Sequence, residues 1–481
     1  MTTARRRAFA MARRAAGHTQ ESLAGALYVD RSTVIRWEAG ENLPVPYLWP
    51  KLGRALAVSP DRLQALLAEP DPSDDALAPG VVAVCEWLDA RAGWTPGTAR
   101  RKVGARRARW DTSAVRARSA RRARVPRSRL AGALSEYYGD CPLYRARCDG
   151  HEVTTTIAVH PEWVDTVLNT ARLDQTGQPR AVTLDAMAAR AAIERLAESL
   201  ALGVPVTDAS LYRLLSVGEG CAVFDLVSFA EYAVTADLME AELLDAVAQQ
   251  ADMPLRERYL PDSASVFDLA GRLCAGGTVT LCAIARGADT HRAQPDYALL
   301  VQKRSGNVLN AAGRLAVIPK GFHQPLTDPW AEVAPVETVR RELEEELFAR
   351  AELDNTLGEI RTADPTHPSR LSEPMRWLAE HDGLRIEPTG FGLNLISGNY
   401  EFASLAVVDN EDFWTRYGGM IEANWEATGL RTYSTHDRLA LAELVTDESW
   451  SNEGLFALLQ GIHKLQRLGG ARVELPVVEP L

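Results

Sequence analysis

Gly17-His18-Thr19-Gln20-Glu21-Ser22-Leu23-Ala24-Gly25-Ala26-Leu27-Tyr28-Val29-Asp30-Arg31-Ser32-Thr33-Val34-Ile35-Arg36-Trp37-Glu38-Ala39-Gly40 is the stretch on which the reading of this 481-residue chain turns. Gly17 closes a preceding helix over residues 4–16, which carries Arg5, Arg6, Arg13 and Arg14 on its surface. Thr19 stands where an N-cap belongs, and the residues after it form a short helix. Tyr28-Val29 make a turn, Asp30 is a second N-cap, and residues 31–38 form a compact helix that Gly40 stops. Leu23, Leu27, Val29, Val34 and Trp37 supply a small core that sets the two helices across each other. Arg31, Ser32, Thr33 and Arg36 then face outward. A further helix is expected near residues 47–57, and Ser59-Pro60 opens a last one.

Gly17 to Glu21, Leu23-Ala24, Val29, Ser32 to Val34, Trp37-Glu38, Gly40 and Pro44 resemble the helix-turn-helix family of the lambda Cro and repressor type, also called the xenobiotic response element family. The resemblance covers about fifty residues. It implies an all-α DNA-binding domain over residues 1–70, whose second helix enters the major groove. By that likeness Arg31, Ser32, Thr33 and Arg36 meet base edges, since Arg pairs bidentately with guanine and Ser and Thr donate or accept. Gln20, at a helix N-terminus, is placed for a phosphate contact, and Glu38 is structural. The implied partner is double-stranded DNA, bound as a homodimer on a two-fold site.

Charge agrees with a divided molecule. Residues 1–129 hold 24 Lys/Arg against 12 Asp/Glu, whereas the chain as a whole carries −11. A basic front quarter on an acidic body points to a polyanion as the partner of the front part. Residues 68–80 are rich in Pro and Asp and read as a linker. Residues 91–129 contain 14 Lys/Arg and one acid, Asp111, with Trp94 and Trp110 interleaved. This linker and Arg-rich segment, 71–129, reads as an auxiliary arm on the DNA backbone, as a charged tether, or as a strip docked on the acidic body.

Six scattered cysteines without a C-x-x-C pair exclude a zinc ribbon or a redox motif and read as reduced thiols of a cytoplasmic protein. The polar residues 18–22 interrupt any export signal, and the apolar runs are too short for a membrane span.

Residues 130–272 read as an α+β middle region of unknown role, with a strand at 153–159 and helices at 184–202 and 231–249. Tyr137, Tyr138, Trp163 and Tyr232 are expected in its core. Residues 273–481 begin with apolar strands at 278–286, 297–303 and 315–318. After Pro319-Lys320-Gly321-Phe322 comes a charged helix at 333–350, centred on Arg341-Glu342-Leu343-Glu344-Glu345-Glu346-Leu347. Glu342, Glu345 and Glu346 share one helix face, and three like charges there call for a compensating cation.

This stretch resembles the Nudix hydrolase box, G-x5-E-x7-R-E-U-x-E-E-x-G-U with U apolar. Arg341-Glu342-Leu343 and Glu345-Glu346 carry the match. The resemblance implies an α/β/α sandwich in which Glu342, Glu345 and Glu346 bind Mg²⁺. It would activate water against a nucleoside-diphosphate-type linkage. The box glycine position holds Thr327, the first glutamate position holds Val333 beside Glu332, and the late glycine position holds Phe348. These departures favour sensing over turnover, and no catalytic residue is assigned. Glu422 and Glu426 are candidates for one further carboxylate at this site.

The expectation is a multidomain transcriptional regulator: a helix-turn-helix domain, a basic linker, a middle α+β region and a Nudix-like sandwich. The sandwich would sense a nucleotide-derived or other phosphorylated effector. The alternatives are a Mg²⁺-dependent Nudix-type hydrolase carrying a DNA-binding domain, and an antitoxin-like DNA binder with a protein partner.

Overall fold

The structure is a computed structural model that describes residues 7–38, 42–45, 48–56, 58, 63, 66–67, 79–160, 163, 170–174, 183–204, 206, 209–218, 220–290, 292–305, 311–348, 371–421 and 427–481. The chain divides into two compact units, Met1–Leu77 and Ala78–Leu481.

The first unit holds α1 (Arg7–Ala15), α2 (Gln20–Leu27), α3 (Arg31–Glu38) and α4 (Trp49–Ala55). Gly17 ends α1 at φ +77°, a conformation that costs glycine least, and its N–H returns to Arg14 O. Thr19 caps α2 by accepting the Ser22 N–H at 2.9 Å. Phe9, Leu23, Leu27, Val34, Trp37, Leu52, Leu63 and Leu66 close one apolar core. The opening of the last helix at Ser59-Pro60 lies outside the described residues.

The second unit begins with four helices: α5 (Pro79–Arg91), α6 (Thr98–Arg107), α7 (Thr112–Arg122) and α8 (Arg127–Tyr138). The strands β1 (Leu143–Cys148), β2 (His151–Ala158) and β3 (Thr170–Leu173) follow, then α9 (Ala186–Leu202), β4 (Ser210–Gly218) and β5 (Cys221–Ser228). Helices α10 (Phe229–Ala233), α11 (Leu238–Gln249), α12 (Pro254–Tyr259) and α13 (Ser263–Phe267) come next. After these run β6 (Gly276–Arg286), β7 (Asp296–Arg304), β8 (Leu315–Val317), β9 (Lys320–Phe322) and α14 (Pro335–Leu347). The chain continues through α15 (Glu373–Glu380), β10 (Arg385–Asn394), β11 (Asn399–Val408), α16 (Glu411–Tyr417), β12 (Ala427–Ser434), α17 (Arg438–Thr446), α18 (Asn452–Leu468) and β13 (Val478–Pro480).

One mixed ten-stranded sheet organises this unit, in the order β12-β7-β6-β11-β10-β2-β1-β13, with β8 on β7 and β9 on β6. β6 and β11 are parallel, and the other pairs are antiparallel. A smaller sheet, β3-β5-β4, stands apart from it. The central strands read as nearly continuous apolar runs because helices cover both faces. Val279, Leu281, Ala403 and Leu405 pack towards α17 and α18. Cys282, Ile284, Ala406 and Val408 pack towards α14, α15 and α16. All six cysteines are free thiols.

Three expectations change. The boundary at 272/273 does not separate two bodies, because β1 and β2 pair with β13 and β10 and share the large sheet. The single helix over 231–249 is broken into α10 and α11. Asp237, fully buried between them, receives Arg195 at 2.6 Å, and a buried charge needs such a partner. The Arg-rich segment is not an extended tether: α6 and α7 are ordered helices whose inner arginines dock on the body. Arg106 meets Glu194 at 2.5 Å, and Arg122 meets Glu198 at 2.9 Å and Asp245 at 2.6 Å.

Candidate nucleic-acid interface and the glutamate-rich helix

α3 has two unlike sides. Val34 and Trp37 are buried and fix it on α2, while Arg31, Ser32, Ile35 and Arg36 are exposed and Thr33 is half-buried. Arg36 lies over Ser32, with a long contact of 3.4 Å from Nη2 to Oγ. The outer face therefore offers guanidinium donors, a hydroxyl and one branched apolar side chain. These groups suit guanine, mixed polar edges and a thymine methyl respectively. Ile35 escaped the sequence reading. Its signal was available, since an apolar residue between the buried Val34 and the exposed Arg36 cannot also reach the core.

Gln20 is placed differently from expectation. Its amide nitrogen donates to Glu38 Oε2 at 2.7 Å, and the same carboxylate takes Arg13 Nε at 2.6 Å. Arg13 is 5% exposed and also donates to His18 O. This part-buried triad ties α1, α2 and α3 together. One Gln20 amide hydrogen is committed to it, which leaves the other, and the free backbone N–H groups of the first turn of α2, for a phosphate.

Tyr28 closes α2 in the left-handed region at φ +58°. The strain of a side chain there is about 1 kcal/mol. Its ring is 89% exposed, and Lys51 Nζ lies 3.9 Å above the ring centre.

α14 is a charged helix of the opposite kind. Arg341, Glu342, Glu344, Glu345 and Glu346 are all buried. Arg341 donates to Gln324 O at 2.9 Å and to Phe322 O at 3.2 Å, clamping the loop after β9. Glu342 accepts from Arg341 at 3.0 Å and packs on the backbone of Gly321, where a Cβ would fall 2.1 Å from the carboxyl group. Glu344 takes the Ser372 hydroxyl at 2.6 Å and also its N–H, and Glu346 accepts the Lys320 N–H at 2.8 Å. Among the described residues, no group of three or more His, Cys, Asp or Glu side chains is gathered to hold a metal ion. The expected ligands Glu342, Glu345 and Glu346 share this helix, where Glu342 meets Arg341 and Glu346 meets the Lys320 N–H. Glu332, beside the altered box position, instead gathers the N–H groups of Leu326, Thr327 and Asp328. Burial alone would raise its proton affinity; the Thr327 hydroxyl and these amides hold its pKa below the usual carboxylate range. Glu422 and Glu426 lie outside the described residues.

On the other face of the sheet, a polar network was invisible to motif reading. Lys320 Nζ reaches Glu453 Oε1 at 2.5 Å, and Asn394 Nδ2 lies 3.3 Å from Glu453 and 3.4 Å from Glu401. Burial, and then repulsion from Glu453, push Glu401 up to about 8. Glu453 resists its own burial because Lys320 is beside it, and stays below the usual range. The one available clue was Glu401 itself, a lone charge in the apolar strand Asn399–Val408.

A cavity behind α7 is lined by Arg122, Arg195, Glu198, Glu240 and Arg314, with apolar walls from Leu202 and Leu244. Arg122 and Arg195 are ion-paired. Arg314 is 5% exposed, donates from Nη2 to Arg122 O at 3.2 Å, and has no hydrogen-bond partner at Nη1. Burial lowers its proton affinity.

Residues 6–66 match the family model of the helix-turn-helix domain. That match supports a DNA-binding role for the first unit. No curated protein matches the chain. No helix among the described residues is long and apolar enough to cross a membrane.

Proposed function

We propose that this chain is a sequence-specific DNA-binding transcriptional regulator that reads its operator with α3, as a homodimer on a two-fold site. The carrying observation is the two-sided character of α3. Val34 and Trp37 anchor it, and Arg31, Ser32, Ile35 and Arg36 stand exposed on a segment matched to the helix-turn-helix domain. Such a helix presents its N-terminal side chains to base edges. A duplex selected from a random pool by the wild-type chain tests this. Arg36→Ala should weaken binding to that duplex by about 10–100-fold, the equivalent of about 1–3 kcal/mol for a lost bidentate contact. Equal binding by the variant would overturn the reading.

The second unit, in this proposal, senses a small anionic effector, with a nucleotide-derived or other phosphorylated compound as the first class to try. Arg314 supports it. A buried guanidinium with an uncommitted amino group, beside a cavity on the inner side of α7, suits an oxyanion. Effector binding would bias DNA affinity only by favouring one state of the protein over the other. Nucleoside diphosphates should raise the melting temperature of the wild type and not of Arg314→Gln; equal shifts would remove the effector site. Hydrolysis is not part of the proposal, because Thr327, Val333 and Phe348 stand at three positions of the box.

A further inference from the structure

We propose that the outer face of α6 and α7 is a second DNA-contact surface, which grips the phosphate backbone of a duplex. The proposal rests on the DNA-binding reading above, but on different residues.

The cations of this segment fall into two sets. Arg106, Arg122 and Arg127 turn inward: the first two pair with acids of the body, and Arg127 donates to Asp447 O and Thr154 O. Arg100, Arg101, Lys102, Arg109, Arg116, Arg121 and Arg124 are exposed. Among the described residues none of these seven has an acidic group within 4.0 Å. The segment's one acid, Asp111, is committed to capping α7 through the Ser113 N–H at 2.9 Å and the Ser113 hydroxyl at 2.7 Å. Trp110 joins the two helices, with Arg106 of α6 and Arg118 of α7 at 5.2 and 5.4 Å from its ring.

Seven like charges without acidic partners repel one another, and a polyanion relieves that repulsion. The remaining surface decides which polyanion. Gly104, Ala105, Ala108, Ala117 and Ala120 are exposed between the cations, so a phosphate backbone can approach closely. No large apolar side chain of this stretch is exposed, whereas a helix lying on a membrane inserts Trp, Phe or Leu. Each helix is about 15 Å long, roughly four base steps of a duplex.

The full-length chain tests this with Arg100, Arg101, Arg121 and Arg124 all changed to Gln. Binding is measured against salt concentration on a random-sequence duplex and on a duplex selected by the wild type. The expected result is a shallower log–log salt slope on both, by about 2–4 at roughly 0.9 per phosphate contact, with the preference between the duplexes unchanged. The same four positions changed to Lys should keep the wild-type slope. Both variants should melt with the wild type, since the replaced groups hold no internal ion pair. An unchanged slope in the Gln variant would overturn the proposal. So would loss of binding to phosphatidylserine vesicles with DNA binding intact, which would assign the face to a membrane. Failure of the α3 reading looks different: wild type and Arg36→Ala would then prefer no duplex, while the random duplex still reports the slope.

Discussion

α3 and α14 are both short helices dense in charge, and both carry residues that the sequence marks as functional. α3 shows its cations, Arg31 and Arg36, to solvent and hides Val34 and Trp37. α14 buries Arg341 and Glu342 to Glu346 along with its apolar residues, and protein groups meet Arg341, Glu342, Glu344 and Glu346 there. The difference lies in what covers each helix. α14 is pressed between β9, the loop after it and Ser372, so its carboxylates replace lost water with N–H and hydroxyl donors. A charged motif therefore identifies a ligand site only when the fold leaves its charges uncommitted.

Removing charge should consequently unfold the body and spare the reading head. The largest effect is expected for Lys320→Met, which leaves Glu453 buried without its cation beside Glu401. It should cost about 3–5 kcal/mol in chemical denaturation. Glu344→Ala should cost about 2–3 kcal/mol by orphaning the Ser372 donors, measured the same way. A value near zero for Glu344→Ala would return α14 to the status of a free acidic surface.

Glu401 adds a pH test. Its folded proton affinity is raised to about 8, so its contribution to stability is present in full below the unfolded carboxylate value of about 4.3. That contribution is lost as pH rises towards 8. Glu401→Gln should flatten this decline and be more stable than the wild type at pH 9 by more than about 1 kcal/mol. Parallel stability curves for the two proteins from pH 5 to 9 would contradict the assignment.

In the first unit the effects are small. Tyr28→Gly should stabilise it by about 0.5–1 kcal/mol by relieving the left-handed strain, less whatever the Lys51 contact contributes. Arg36→Ala should change thermal stability by less than about 0.5 kcal/mol while weakening binding to the selected duplex by about 10–100-fold. A large loss of stability there would erase the contrast with α14.

What was legible in the sequence was local. Thr19, Gly17 and the apolar spacing place α1 to α3 because caps and periodicity act within a few residues. β6 and β7 were equally plain as apolar runs. The pairing of β1 and β2 with strands more than two hundred residues later was not, because nothing local records which edge a strand will meet. The break at Asp237 was hidden for the same reason, since its partner Arg195 lies in another helix. The acidic helix was correctly placed, but the donors that meet Glu346 and Glu344, the Lys320 N–H and Ser372, come from elements whose approach no spacing within the helix records. In the basic segment, composition listed all fourteen cations but could not sort them by face.

The sheet's last pairing sets a timetable for synthesis. Ala146 of β1 meets Pro480 of β13, so that edge cannot close until residue 480 has been made. The first unit needs only residues up to 77. At about 5–20 residues per second, some 20–80 s separate the two events. The nascent chain would thus carry a finished reading head while its body still shows an open strand edge, the state most exposed to mispairing with other chains. Proteolysis of stalled nascent chains, showing a protected first unit before β13 emerges, would establish that order.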